Sequence, residues 1–519
     1  MGVLLARCVV AGESAKPNIL FIFSDDHALR TIGAYNPEFD GTPNIDRLAE
    51  SGAVFTRSYC ENSICQPSRA AVLTGKVSHH HGVRTNGSPW NNKQQIFPRL
   101  LKQAGYQTAM IGKWHMHPFP SDEFDYHKTL TANGGQGRYY NPAFVAHDGS
   151  IVIEKGYSTD IIASESIEWM KNRDKTKPFL MMCQFKAPHT NVMPPLRNLG
   201  MYRDGDIPIP ETFFDDYEGR NDYVKQSWMK MHGMKSPAVV KITPTYGEYE
   251  LPKNPTGPER QFKGDYKFLA EMTEAQRNEW HHHYDPQNED YRKRVASGEL
   301  TGNKLAEYRY QRYVKDYLRV VAAIDQNVGR LLDWLDASGL AENTIVIYSS
   351  DQGFYLGEHG WSDKRLMYEE SLGMPFVIRW PGRIKPGQRI DAMIQNIDYA
   401  PTFLDIAGLD IPDDIQGKSL VPLFDGKAPR NWRDSIYYHY YHSGAYNLPK
   451  IEGVRDDRYK LIRYYDHPCL KLGEQWELFD LKRDPQEMKS EYDNPEYQRV
   501  KKKMLRELNK LRKQYGVEE

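Results

Sequence analysis

The amino-acid sequence predicts an α/β protein with a large, mostly parallel central sheet and a small antiparallel subdomain near its C-terminal end. Three observations carry this. Apolar runs of strand length recur along the chain, and each is followed at once by polar or charged residues. Amphipathic helical patterns lie between them, as the alternation of strand and helix in an α/β domain requires. Beyond about residue 425 the pattern changes to short alternating segments. The chain therefore divides into residues 1–15, a body over 16–425 and a smaller unit over 426–519.

The first run is Asn18-Ile-Leu-Phe-Ile-Phe23, followed by Ser24-Asp25-Asp26-His27. A continuous apolar run of this length suits a parallel strand buried on both faces. Tyr106–Ile111 leads into Gly112-Lys113-Trp114-His115, and Phe179–Phe185 leads into Lys186-Ala-Pro-His189. Thr344–Tyr348 leads into Ser349-Ser-Asp351-Gln352-Gly353. Helices are expected over Asn44–Gly52 and Phe97–Gly105, each stopped by its glycine, and from about Tyr308 to Leu335 with Val314, Tyr317, Leu318, Val321, Ile324, Val328, Leu331 and Leu335 on one face. Open α/β sheets bind ligands outside the carboxyl ends of their strands. Four strands here deliver acids, lysines and histidines to that edge. Taken singly, Asp25-Asp26 could cap a helix and Lys113 or His189 could be surface residues; their agreement is the argument.

After Phe424, the segments Ser435–Tyr441, Gly453-Val-Arg455 and Tyr459–Arg463 read as antiparallel strands. A helix with Val500, Met504, Leu508, Leu511 and Tyr515 on one side closes the chain. The stretch from Thr190 to about Asn303 is rich in Pro, Asp, Tyr and Lys and reads as an excursion with short helical pieces on the substrate side of the sheet. The runs His79-His80-His81 and His281-His282-His283 read as loop segments without the spaced partners of a zinc site.

At 39% hydrophobic and 26% charged residues, a packed globular body is expected. A net charge of −1 gives no electrostatic case for nucleic acid as a partner. Residues 1–15 are short, apolar and rich in small residues, like a clipped signal peptide ending before Lys16, and predict export to the bacterial periplasm or the medium. No segment has the apolar length of a membrane span. The five cysteines are too scattered for a disulfide framework, and Cys183 reads as a core residue.

Between the first two strands lies Cys65-Gln-Pro67-Ser68-Arg69-Ala-Ala-Val-Leu73-Thr74-Gly75. Cys-x-Pro-Ser-Arg followed by Leu-Thr-Gly closely resembles the maturation signature of the formylglycine-dependent sulfatases, and the resemblance extends from Lys16 to the C-terminal helix. It implies an alkaline-phosphatase-like sandwich and a maturase partner that oxidises Cys65 to formylglycine. It also implies a metal held by Asp25, Asp26, Asp351 and Gln352, with the matured Cys65 beside it. Those four side chains offer only oxygen, which suits Ca²⁺ and, less well, Mg²⁺. Many relatives carry Asn or His where Gln352 stands; glutamine still supplies a carbonyl oxygen.

By the same resemblance Arg69 and Lys113 hold the hydrated aldehyde and the sulfate, and His115 contacts the formylglycine hydroxyl. Lys364 is the second sulfate-binding lysine, and His189 protonates the leaving oxygen. The implied reaction is attack of a hydrate hydroxyl on sulfur, followed by collapse of the second hydroxyl to release sulfate. Pro67 and Ser68 fall in the first turn of a helix whose N-terminal N–H groups favour an anion. The stretches Asn133–Pro142 and Asp351–Gly360 are similar to those of bacterial exo-sulfatases acting on glycosaminoglycan or mucin sugars, of the N-acetylglucosamine-6-sulfatase type. The segment His442–Val454 departs from that type, which has Glu-Tyr-Pro and His-Tyr-Gly motifs there. A sulfated oligosaccharide is the expected substrate. A different sugar or sulfate position, a phosphate or phosphonate ester hydrolase, and a non-catalytic glycan binder with unmatured Cys65 are the alternatives.

Overall fold

The computed structural model describes residues 16–131, 135–231, 241 and 267–517. Ten strands form the main sheet. The four apolar runs are adjacent in its middle, in the order Thr344–Ser350, Asn18–Asp25, Phe179–Pro188 and Gln107–Gly112, and all run parallel. Ile19–Phe23 pairs with Leu180–Gln184 on one side, and Asn18–Ser24 pairs with Thr344–Ser350 on the other. All four strands run past the end of their apolar stretch, so Asp25, Gly112, Pro188 and Ser350 are still strand residues. Further out the sheet is mixed, with antiparallel strands at Phe376–Arg379, Ala143–Val145 and Ile151–Ile153.

Alternate residues of the first strand feed two separate cores, as the period of two in a strand dictates. Ile19, Phe21 and Phe23 pack into one core with Ala70, Leu73, Leu101 and Phe403. Leu20 and Ile22 pack into the other with Ile45, Leu48, Ile162, Val321 and Ile324. The sheet is thus sandwiched between two helical layers. On one side lie helices Cys65–Thr74, Phe97–Gln103 and Tyr399–Ile406; on the other lie Pro43–Glu50, Ser158–Asn172 and the 36-residue Gly302–Ala337. Cys183 is fully buried in the second core.

The C-terminal sheet has four antiparallel strands in chain order, Ser435–Tyr440, Lys450–Asp456, Tyr459–Tyr465 and Gln475–Asp480. Helix Gln498–Gln514 covers it, burying Met504, Leu508 and Leu511 against Tyr437, Val454, Leu461 and Leu478. Among the bonds that fasten this sheet to the body, Tyr438 Oη donates to the Arg365 carbonyl, and the His439 amide donates to the Glu61 carbonyl at 2.9 Å.

Two readings are corrected. The excursion after Thr190 contains a long helix, Glu274–Ala296, opened by a Thr273–Gln276 capping box, rather than short pieces alone. Both histidine runs are helical: His79–His81 in the short helix Ser78–His81, and His281–His283 inside the long one, where His281 is buried with its Nδ1 3.0 Å from Asp285. Residues 232–240 and 242–266 of the excursion, residues 132–134 and the leader-like residues 1–15 lie outside the described residues. Among the described residues no helix is long and apolar enough to cross a membrane.

Candidate active site

The carboxyl ends of the four central strands converge on Cys65. This residue is the first of helix Cys65–Thr74, all ten residues of which are buried. Its position puts the positive end of the helix dipole at the thiol, an environment that favours an anion, while the Gln66 amide donates to Asn86 Oδ1 and the Ser68 amide to the Ile64 carbonyl, each at 3.1 Å. Asp25, Asp26, Cys65, Lys113, Asp351 and Gln352 are each 0% exposed.

The charges are arranged in pairs. Lys113 Nζ donates to Asp25 Oδ2. Lys364 Nζ lies 2.6 and 2.5 Å from the two carboxylate oxygens of Asp26 and 3.4 Å from Cys65 Sγ. Arg69 Nε donates to Asp351 Oδ2 at 3.1 Å, and its Nη1 donates to the Lys113 carbonyl at 3.0 Å and Gln184 Oε1 at 2.9 Å. The Asp26 amide donates to Asp351 Oδ1 at 3.1 Å. Gln352 Nε2 donates to Asp26 Oδ1 and lies 3.6 Å from Cys65 Sγ.

Local backbone shape sets these directions. Gly112 has φ +114°, and a Cβ there would lie 1.8 Å from the Gln184 carbonyl oxygen, so the strand can turn into Lys113 only with glycine at this point. Asp26, His115 and Asp363 have φ of 67°, 61° and 82°. Left-handed conformations at non-glycine residues cost energy and cluster where a side chain must be aimed; here they bracket the two aspartates, His115 and Lys364.

Burial opposes charge on Asp25, yet Lys113, His189, Arg69 and Lys364 together hold its carboxyl well below the usual range. Burial, with Asp25 as neighbour, pushes Asp351 up to about 8. The unmodified Cys65 thiol is pushed up, chiefly by burial and then by Asp25. Burial and Lys113 hold His115 well below its usual value, and burial does the same to His189. Both imidazoles are therefore neutral without substrate. His189 Nδ1 faces the Thr190 carbonyl, while its Nε2 is 3.8 Å from Asp26 Oδ2. His115 Nε2 is 2.9 Å from Gln136 Nε2.

All ten residues singled out from the sequence thus meet at one point: Asp25, Asp26, Cys65, Arg69, Lys113, His115, His189, Asp351, Gln352 and Lys364. The sequence reading missed Gln136, Tyr139 and Lys186. Tyr139 Oη donates to the His189 carbonyl at 2.7 Å, and Lys186 lines the same cavity. The signal for Lys186 was its place three residues before His189, at the same strand end.

A buried thiol at a helix start, ringed by lysines and an arginine and by acids from two adjacent strand ends, defines a hydrolase site for an anionic ester. The chain belongs to the sulfatase family, the sulfuric ester hydrolases: the sulfatase domain matches residues 17–409, and the domain described as N-sulphoglucosamine sulphohydrolase, C-terminal, matches residues 357–514. It is 42% identical over 507 residues to an N-acetylglucosamine-6-O-sulfatase of Bacteroides thetaiotaomicron, covering 97% of this chain and 87% of that protein. A solved structure of a protein in complex with its substrate D-glucosamine-2-N,6-O-disulfate superposes with a TM-score of 0.89 at 42% identity, covering 96% of this chain and 98% of the other. The phosphonate monoester hydrolase of Agrobacterium radiobacter shares the fold at 20% identity, with a TM-score of 0.63 and 96% of each chain covered. The fold is the alkaline-phosphatase-like sandwich of the sulfatases.

The donor set fits a hard divalent cation. Asp25 Oδ1 and Gln352 Oε1 are buried without a hydrogen-bond partner among the described residues. Such orphaned acceptors are costly unless a cation or water satisfies them. Asp25, Asp26, Cys65 and His189 also bring potential ligand atoms within 4.8 Å of one another.

Proposed function

We propose that this sulfatase hydrolyses sulfate monoesters of sugars at the ends of glycosaminoglycan or mucin-type chains, with 6-O-sulfated N-acetylglucosamine as its preferred substrate. The observation that carries the chemistry is the placement of Cys65 Sγ within 3.4 Å of Lys364 Nζ at a helix N-terminus. The 42% identity to an N-acetylglucosamine-6-O-sulfatase supports the sugar. In this reading Cys65 is matured to formylglycine, and Sγ marks the place of the attacking oxygen. Asp25, Asp26, Asp351 and Gln352 hold one Ca²⁺, with the matured Cys65 beside it. The ion, when bound, supplies positive charge to the sulfuryl oxygens.

The remaining steps belong to the chain's own side chains. Lys113, Lys364 and the first turn of helix Cys65–Thr74 bind the sulfate and stabilise the charge that grows on it in the transition state. Arg69 fixes Asp351 and the Lys113 backbone, so the lysine is held before substrate arrives. His115, tethered near Gln136, orients the nucleophile. His189, with its Nδ1–H held by the Thr190 carbonyl, takes up a second proton at Nε2 when the anionic substrate binds and passes it to the leaving sugar oxygen. Export, with residues 1–15 as leader remnant, completes the proposal.

Two measurements test it. Mass spectrometry of the Cys65 peptide after co-production with a maturase should find the aldehyde, and a C65A variant should be inert; full turnover by C65A would overturn the nucleophile assignment. Comparing kcat/KM for N-acetylglucosamine 6-sulfate with galactose and uronate sulfates and a matched phosphate ester tests the substrate. Preference for another ester by about tenfold, or about 1.4 kcal/mol, would overturn the glucosamine assignment.

A further inference from the structure

Beside the site lies a cavity of about 350 Å³ lined by Gln136, Arg138, Tyr139, Lys186, His189 and Glu271, among others. It opens on the proposed proton donor, on the side where the leaving sugar lies in the reading above. Its charges do not balance. Arg138 Nε is 3.3 Å from Glu271 Oε1, so those two form an ion pair. That leaves Lys186, which is 5% exposed and whose ammonium forms neither a hydrogen bond nor an ion pair with any described residue. Its ammonium is seated 5.0 Å from the centroid of the Tyr139 ring.

A desolvated ammonium without an anion is costly to maintain. Burial, and then Lys113, lower Lys186 to about 8, so it still carries its charge at neutral pH. A ring face compensates part of the lost hydration and keeps the side chain pointed at the cavity. The reacting centre already has its own cations paired with acids: Lys113 with Asp25, Lys364 with Asp26 and Arg69 with Asp351. Lys186 takes no part in those pairs. It stands on the sugar side of His189, three residues away on the same strand end.

We propose that Lys186 is a specificity-determining residue, whose ammonium binds a second anionic substituent on the same sugar that carries the scissile sulfate. This rests on the sugar-sulfatase reading above and adds to it that, among 6-O-sulfated glucosamines, one carrying a second anionic group is bound more tightly than the singly sulfated sugar, one group cleaved and one held. Tyr139 supplies the positioning: its ring carries the ammonium, and its hydroxyl ties down the His189 backbone, so recognition of the second anion and placement of the proton donor share one side chain.

The test uses two probes that differ by one anionic group, N-acetylglucosamine 6-sulfate and D-glucosamine-2-N,6-O-disulfate. Calorimetric Kd values are measured in the inert C65A background and in C65A/K186M and C65A/K186R. The disulfate should bind more tightly than the monosulfate to C65A. K186M should weaken the disulfate by at least about tenfold more than the monosulfate, and K186R should retain most of the preference. Equal losses on the two probes, no preference in C65A, or no binding of either probe would overturn the proposal. Turnover of both sugars by the matured wild-type enzyme is scored separately; its absence sinks the sugar-sulfatase reading and leaves the binding comparison intact.

Discussion

Replacing Lys364 by methionine removes one charge and keeps most of the side-chain volume. The ammonium it removes is buried, 2.6 and 2.5 Å from the oxygens of Asp26 and 3.4 Å from Cys65 Sγ. Unit charges about 3 Å apart attract by about 5 kcal/mol at an effective dielectric constant of about 20. Orphaning one member of a buried pair costs about 3–5 kcal/mol, because the remaining charge keeps its desolvation penalty. K364M should therefore lose about 3–5 kcal/mol of unfolding free energy in chelator. A calcium ion held by Asp26 would replace the missing positive charge, so saturating calcium should shrink that loss to less than half. Activity should not return with stability. A cation aimed at developing charge is worth about 10²–10³ in kcat, and the variant lacks the ammonium that supplies it. Urea unfolding with chelator and with calcium, run beside kcat on a sugar sulfate, reads both effects. A K364M protein as stable as wild type in chelator, or one retaining kcat within about threefold, would refute the reasoning.

Three further outcomes are expected. H189A should reduce turnover of sugar sulfates far more than of activated aryl sulfates, whose leaving groups need no proton; equal losses in kcat would assign His189 to positioning instead. Burial works to raise the Glu369 carboxyl, but Lys460 at 2.7 Å and Arg455 at 3.2 Å hold it at about 2. Its stabilisation is present above the ordinary carboxylate range and fades as pH falls toward 2, so E369Q should cost at least about 1 kcal/mol more at pH 7 than at about pH 3, and denaturant unfolding at the two pH values that showed the reverse order would discard the ion-pair account. Gly453 sits mid-strand with room for no side chain: a Cβ would be 2.4 Å from Met367 Sδ and 2.6 Å from the Leu461 carbonyl. G453A should lose about 1–3 kcal/mol by overpacking, and an unchanged melting curve would show that the Met367 loop yields freely.

The middle of the sheet was legible because strands buried on both faces leave continuous apolar runs, and the residues that follow them are where an α/β fold puts its ligands. Asp25, Lys113, His189 and Asp351 could be placed near one another on that ground alone. Helix Glu274–Ala296 was not legible, since its buried positions are Trp280, His281, Tyr284 and Asn288, a polar and aromatic mixture with no apolar stripe. The outer strand Ile151–Ile153 escaped as well, being three residues long and exposed. Lys186 lay in plain view beside His189. Sequence could not say that its ammonium is buried over Tyr139, because a lysine at a strand end is as readily a solvated one.

The enclosure of Cys65 sets a clock. Gln352 and Lys364, which close over the thiol, follow it by 287 and 299 residues in the chain. At roughly 5–20 residues per second, a ribosome needs about 15–60 s to make that stretch. During this interval the first helix of the site is without its far wall, and afterwards the sulfur is sealed from any protein-sized reagent. An enzyme that must touch this cysteine therefore competes with the completion of the fold. Slowing synthesis downstream of Thr74, or delaying closure of the late strands, should raise the fraction of molecules whose Cys65 has been converted.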